Sequence, residues 1–456
     1  QRTNLSKYTT RDSPLELLCY YLETGELPWW SSDNDWQLEQ HLRVLLKDEP
    51  EKTVIALRRS SSAVLIKRLV LQLNLQTRLS LLDVIQPVNA IAIRLFIEQW
   101  FELINQVNKH VVSGLSKIDS EALNRLQQVI NKQHSYADAF WSDLFELLFS
   151  EGIQLEAPGI NKFVVTKLSE KSVINYSEVV SLILGISCCH SGNVNELEQW
   201  LEQETDNIHT NETLPFIKAS ESDGSERVMK GQSGVETVTD LLDNKQLIIE
   251  KKSANEIIRE KFLERLTTTK SLTGSLDIKT DTKQHEADFN INTRYINNVG
   301  IILFWPFLKQ LFTELKLIKK NKFCNTEDQQ TAVLLLQYMA TGQSEFREHQ
   351  LILNKILCGW PLQQPLRNEL DLQPDQEAAM NDLLQSMITH WSALKSTSID
   401  GLRTAFINRE GMLKPQHNGW LLQIERKGYD VLIDKLPWGI GLIKLPWMNK
   451  PVYTEW

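Results

Sequence analysis

Cysteine is scarce in this chain. Five occur among 456 residues, namely Cys19, Cys188, Cys189, Cys324 and Cys358. The number is odd and no C-x-x-C pair is present. That excludes a disulfide framework and a redox pair, and it points to a reducing compartment. Long hydrophobic runs are missing too. The longest, Val299 to Leu308, is interrupted by Gly300 and Pro306, whereas a helix that spans a bilayer needs about 20 apolar residues. The chain opens on Gln1 rather than Met, so an earlier or processed start is expected, and what is present contains no secretory signal. An excess of positive charge is also absent. Lys and Arg total 49 against 58 for Asp and Glu, giving a net charge of -9 and a pI near 5.6. This balance excludes a protein that coats nucleic acid through bulk charge, though it leaves room for local basic patches.

Catalytic signatures are lacking as well. There is no Walker A loop, G-x-G-x-x-G, H-E-x-x-H, G-x-S-x-G or EF-hand loop. Cys188-Cys189-His190 is the one Cys/His cluster. Adjacent side chains point in different directions and no second half at ligand spacing follows, so a metal site is not expected there. His390 and Asp400 can be drawn as an acid–base pair, but a helix-capping role accounts for Asp400. No catalytic residue, metal or cofactor is expected.

What is present reads as a globular chain, 42% hydrophobic and 23% charged, long enough for roughly three domains. Tryptophan divides it. Six of the thirteen Trp lie between Trp29 and Trp200, seven lie between Trp305 and Trp456, and none falls in residues 201–304. That interval has one proline, Pro215, and is rich in Glu, Asp, Lys, Ser, Thr and Asn. Such composition buries too little apolar surface to offset its ordering entropy. The expected organisation is an N-terminal helical domain at 1–200, a polar and partly disordered linker at 201–293, a C-terminal helical domain at 294–415, and a small β-rich end at 416–456. The fold class is mainly α, with a small C-terminal β meander. Within the linker, Asp240 to Leu266 has apolar residues near helical spacing.

Ser13-Pro14-Leu15-Glu16 combines a capping Ser, a first-turn Pro and a Glu at N3. Leu15, Leu18, Cys19 and Leu22 follow with helical spacing, and Gly25 terminates the helix. Further apolar stripes run through 54–85, 88–108 and 120–149. In the C-terminal part, helices are expected at Tyr295–Leu317 with a break at Pro306, at Thr331–Ala340, at His349–Cys358 with Gly359 as its cap, and at Asp375–Trp391. Thr397-x-x-Asp400 suggests a capping box for a helix that ends at Gly411. Beyond 416 the pattern turns strand-like at Trp420–Glu425, Tyr429–Ile433, Leu442–Leu445 and Val452–Trp456, with Lys427-Gly428 as a hairpin turn.

Leu-Pro-Trp recurs at 27–29, 436–438 and 445–447. Proline fixes the backbone and tryptophan supplies a large apolar anchor with one N–H. These corners are either packing devices or a contact surface, because Trp is enriched where proteins meet. The candidate residues for either role are Pro28, Trp29, Trp30, Trp305, Pro306, Phe307, Pro437, Trp438, Pro446, Trp447 and Trp456. Basic clusters lie at Arg58-Arg59, Lys67-Arg68 and Lys316–Lys322. The last reads as a solvated helix end or as a contact for an acidic partner.

Several stretches carry a family resemblance. They are SPLELLCYYLETGELPWW at 13–30, VGIILFWPFLKQLF at 299–312, LLLQYMATG at 334–342, LNKILCGWPLQQP at 353–365, HWSALKSTSIDGLRTAFINREG at 390–411, and the block from Gly419 to Trp456 with LPWGIGLIKLPWM and a terminal Glu455-Trp456. Over about 13–46 and 295–456 the chain resembles the contractile injection system tape measure protein family. The resemblance implies a non-catalytic structural component of a bacterial, phage-tail-like particle. Such a protein is expected to assemble in the cytoplasm, to contact inner tube subunits and baseplate hub or spike proteins, and to set tube length. It implies no cofactor, no nucleic acid and no membrane span. A linker of about 90 residues spans roughly 135 Å as a helix and about 300–325 Å fully extended. An assembly chaperone, adaptor or cap that binds tube or baseplate proteins without measuring length is the alternative. A carried effector enzyme would need a polar constellation that the sequence does not display.

Overall fold

The computed structural model describes residues 13–28, 31, 36–109, 120–130, 133–149, 157–187, 196–212, 293–394 and 397–456. It is mainly helical. Helix α1 (Pro14–Thr24) begins where expected: the Ser13 hydroxyl accepts the Leu15 N–H at 3.3 Å, and Pro14 occupies the first turn. Gly25, at φ +74°, closes it in the left-handed conformation that glycine adopts without steric cost. Its buried residues are Leu17, Leu18, Tyr21, Leu22 and Glu23, a face turned from the stripe read in the sequence, of which Leu18 and Leu22 are buried while Leu15 and Cys19 are half-buried. The reason is that α1 packs against α2 (Leu38–Asp48), α3 (Pro50–Arg59) and α4 (Ala63–Gln72) together.

Seven further helices complete the N-terminal half: α5 (Leu75–Ile85), α6 (Ala90–Lys109), α7 (Ser120–Ile130), α8 (Gln133–Phe149), α9 (Ala157–Ser172), α10 (Tyr176–Ser187) and α11 (Glu196–Glu212). One apolar cluster from Leu17 to Leu201 runs through all of them. Trp36, Trp100 and Trp141 are among its largest buried side chains, and Trp100 donates its indole N–H to the Tyr136 hydroxyl at 3.0 Å. Helix α11 carries helical structure past residue 201, into the stretch read as linker. The remainder of that stretch, including 240–266, lies outside the described residues, as does Cys188-Cys189-His190.

The C-terminal half opens with strand β1 (Arg294–Ile296), where the sequence suggested a helix. A 3-10 segment, Val299–Phe304, follows with all six residues buried, and then α12 (Trp305–Glu314). Pro306 sits in the first turn of α12, so it starts a short helix instead of kinking a long one. Gly300 is required by close approach. A Cβ there would lie 1.8 Å from the Phe406 carbonyl oxygen and 2.5 Å from the Ile407 Cα.

Helix α13 (Thr326–Thr341) is capped by Asn325, whose side chain accepts the Asp328 N–H at 2.8 Å, and ends at Gly342. Helix α14 (Ile352–Leu357) ends near Gly359 at φ +67°. Helix α15 (Pro374–His390) buries Met380, Leu384 and Met387, and Trp391 follows on the same side. The Thr397–Asp400 capping box does not form. Ser398 caps α16 (Ile399–Leu402) by accepting the Gly401 N–H at 3.0 Å, and Asp400 pairs with Arg403 at 3.1 Å. A π-helical turn, Arg403–Ile407, continues α16.

The main sheet runs β1-β4-β5-β7-β6, with β4 (Gly411–Gln416), β5 (Gly419–Ile424), β6 (Leu442–Ile443) and β7 (Val452–Glu455). It differs from a meander, because β7 lies parallel to β5 and β1 joins from before the helices. Gly411 opens a strand and does not end a helix. The hairpin turn is His417-Asn418, not Lys427-Gly428. Residues 429–433 form part of a 3-10 segment, Gly428–Lys435, because the Asp430 carboxylate accepts the Lys427 N–H at 2.8 Å and curls the chain locally. A separate two-stranded hairpin pairs β2 (Ile318–Lys319) with β3 (Lys322–Phe323). A second apolar cluster, from Ile296 to Val452, unites these helices with both sheets.

Gly300→Ala should lower stability by about 3 kcal/mol, since backbone atoms must move to admit the methyl group. Gly439→Ala, whose Cβ would meet nothing within 4 Å, should stay within about 0.5 kcal/mol. Urea denaturation of both variants measures the contrast.

Candidate functional site

The two apolar clusters are joined by a buried polar junction. Arg68 lies on α4 among Leu65, Ile66, Leu69 and Val70, all buried. A guanidinium on that face must find an anion, because desolvating a charge without a partner is prohibitive. It finds Glu348, just before α14: the Arg68 Nε to Glu348 Oε2 distance is 2.8 Å, and Nη2 reaches Oε1 at 3.1 Å. The side chains are 0% and 1% exposed. On the other side Lys355 Nζ, 2% exposed, lies 2.5 Å from Glu348 Oε1. One carboxylate therefore stands between two cations.

Backbone carbonyls take up the surplus donors. Arg68 donates to Leu22 O and, at 2.8 Å, to Gln363 O. Lys355 donates to Leu362 O at 2.7 Å and Gln364 O at 3.1 Å. Burial pulls the Lys355 ammonium below its usual range, and Glu348 partly restores it. Gln72 donates to Glu348 and to Leu366 O, and accepts the Tyr21 hydroxyl at 2.9 Å. Gly25 closes the group from above: a Cβ there would fall 2.4 Å from Glu348 Oε1 and 2.8 Å from Arg68 Nη2. At the rim, Glu26 accepts Arg294 Nε at 2.9 Å, and Arg367 pairs with Asp138.

None of the three central charges stands out as a site in the sequence, and Arg68 appears there only as half of the Lys67-Arg68 basic cluster. The signal is a charge inside an apolar period. Arg68 interrupts the buried face of α4, and Lys355 interrupts the run Ile352 to Cys358.

The tryptophan corners were singled out by the sequence, and the structure turns them inward to different degrees. Pro28 is buried, while Trp29 and Trp30 lie outside the described residues. Trp305 is half-buried and donates its N–H to Gly439 O at 2.8 Å. Phe307 meets Trp438 edge-on at 5.0 Å, and the Trp438 N–H is buried without an acceptor. Trp447 packs on Phe312 and Phe323 and donates to Leu357 O at 2.8 Å. Pro306 is half-buried, whereas Pro437 and Pro446 are exposed. The two C-terminal corners thus clip the strand region to α12 and α14.

Trp456 belongs to a second buried ion pair. Arg409 and Asp430, each 1% exposed, form a two-pronged contact with both distances 2.9 Å. The Trp456 N–H donates to Asp430 Oδ2 at 3.1 Å, and the Arg409 guanidinium lies 5.7 Å from the Trp456 ring centre. Burial pushes the Asp430 carboxyl up, but hydrogen bonds from Arg409, the Lys427 N–H and Trp456 outweigh it and hold the group below its usual range.

Among the described residues, the other candidate groups are engaged elsewhere. Burial pushes the Cys19 thiol up to about 11 and Cys358 well above its ordinary value, so neither is a ready nucleophile. His390 Nδ1 lies 2.7 Å from Ser386 O, and Asp400 is engaged with Arg403. A shallow cavity between α8 and α9 is lined by Tyr136, Phe140, Leu144, Phe163, Val164 and Lys167, with no nucleophile and base facing each other. Among the described residues no group of His, Cys, Asp and Glu is placed to hold a metal ion, and no helix is long and apolar enough to cross a membrane.

Glu348→Ala should cost about 3–5 kcal/mol, because it strands two buried cations. Differential scanning calorimetry should also show the single transition splitting as the halves uncouple. Trp447→Ala should cost about 2–4 kcal/mol for a half-buried anchor. An unchanged melting temperature with lost binding to particle components would instead make that corner a contact surface.

The model for the family described as contractile injection system tape measure protein matches residues 1–456. The match includes the polar middle, where the sequence by itself offered no likeness. No curated protein matches the chain, and no solved structure does. Two of the stretches that carry the resemblance meet at the junction, since 13–30 supplies Tyr21, Leu22 and Gly25 and 353–365 supplies Lys355 and the carbonyls around it. A whole-length match, on a body built by packing and ion pairing, places this chain in the contractile injection system tape measure protein family.

Proposed function

We propose that the chain is a non-catalytic component of a contractile injection particle and that residues 213–292 act as its length-setting tract. The family is structural, and the observation that supports this reading is the division of labour along the chain. Residues 13–212 and 293–456 build two folding units around separate apolar clusters, and they are fastened together through Glu348. A body of this kind cannot lengthen without unfolding. The composition of the tract between its halves, polar and poor in aromatics, sets no such restriction. In this reading the folded body seats on the baseplate hub or spike, the tract contacts inner tube subunits, and assembly takes place in the cytoplasm. A packed body locked by buried ion pairs serves as an anchor and needs no active site.

The alternative is an assembly chaperone, adaptor or cap, and tube length separates the two. In-frame deletions and duplications inside 213–292 should shorten or lengthen the tube in proportion to the residues removed or added, as measured by electron microscopy. Tubes of parental length would transfer the measuring role elsewhere and leave the chaperone or cap reading.

A further inference from the structure

The Lys316–Lys322 hairpin is unused by anything described above. Lys316, Lys319, Lys320 and Lys322 are all exposed, and none takes part in an ion pair among the described residues. Their scaffold is stiff. Leu317 and Ile318 are buried, and Phe323 packs 5.9 Å from Phe312 and 5.3 Å from Trp447. Backbone bonds close the base, with Leu317 N–H to Phe312 O at 2.9 Å and Cys324 N–H to Leu317 O at 3.0 Å. Lys316, Lys320 and Asn321 have φ of +59°, +52° and +65°. Glycine is the low-strain residue for such positions, yet two of the three carry lysine. Three exposed lysines lie on the hairpin and a fourth, Lys316, at its base, in a chain whose net charge is -9.

We propose that this hairpin is a docking knob for an acidic surface of a partner protein. Four charges on the hairpin and its base suit a compact acidic patch, within about a Debye length of 8 Å at physiological salt. The hairpin offers no aromatic face to bases, because Phe323 is turned into the core. Nor does it show exposed apolar side chains that would enter a lipid interface. The inference rests on the hairpin alone and is independent of the length-setting reading.

The test uses the full chain and a fluorescent deca-glutamate peptide, titrated by anisotropy at low and physiological salt. The parent should bind, more weakly as salt rises. The triple variant Lys319→Glu, Lys320→Glu, Lys322→Glu should lose about tenfold or more in affinity with an unchanged melting temperature. A control that reverses three exposed lysines elsewhere, Lys162→Glu, Lys435→Glu and Lys450→Glu, should bind as the parent does. Equal affinity of parent and hairpin variant would overturn the proposal, as would equal losses in the two triple variants. Tighter hairpin-dependent binding to a 20-base-pair duplex or to phosphatidylserine vesicles than to the peptide would also overturn it, in favour of nucleic acid or lipid.

Discussion

A carboxylate buried between two cations sets the arrangement of this molecule. Glu348 comes from the C-terminal half, Arg68 from the N-terminal half, and Lys355 from the helix that follows Glu348. The two apolar clusters are separate, and the Arg68–Glu348 pair supplies directional bonds between them. Apolar contacts tolerate sliding, whereas a guanidinium facing a carboxylate at 2.8 Å and 3.1 Å does not. Neighbouring groups complete it. The carbonyls of 362–364 absorb the surplus positive charge, Gln72 bridges to Leu366, and Gly25 leaves the room that the carboxylate needs.

Much of the helical architecture was legible in the sequence, because capping chemistry is local. Ser13, Pro14 and Gly25 mark both ends of α1, and the buried spacing of α15 follows from Met380, Leu384 and Met387. Strand pairing was less legible, because it is decided by distant residues. Arg294–Ile296 becomes a strand only because Gly411–Leu413 lies beside it. Tyr429–Ile433 has the composition of a strand, yet Asp430 is claimed by Arg409, Trp456 and the Lys427 N–H, and the chain curls there. The junction was illegible for the same reason. Arg68 and Glu348 are 280 positions apart, and nothing local reveals that they meet. The tryptophan corners were conspicuous as residues, but their partners, Phe312, Leu357 and Gly439, come from elsewhere in the chain.

The C-terminal end shows how a small sheet is made secure on a helical body. Short strands such as Leu442–Ile443 supply few ladder bonds. The adjoining corners add indole contacts at fixed points, and Arg409 and Asp430 tie the turn beneath them. Trp456 contributes a ring face to the cation and an N–H to the anion, so the last residue of the sequence belongs to the packing.

The junction also fixes the two points that the middle of the chain connects. Helix α11 ends at Glu212 and described structure resumes at Thr293, and both points belong to a body held together through Glu348. Residues 213–292 must therefore leave that body and come back to it. Thermodynamically such a loop is forgiving, since doubling its length costs only about 0.6 kcal/mol in closure entropy. A change in the number of residues between those two points therefore costs the folded body little stability.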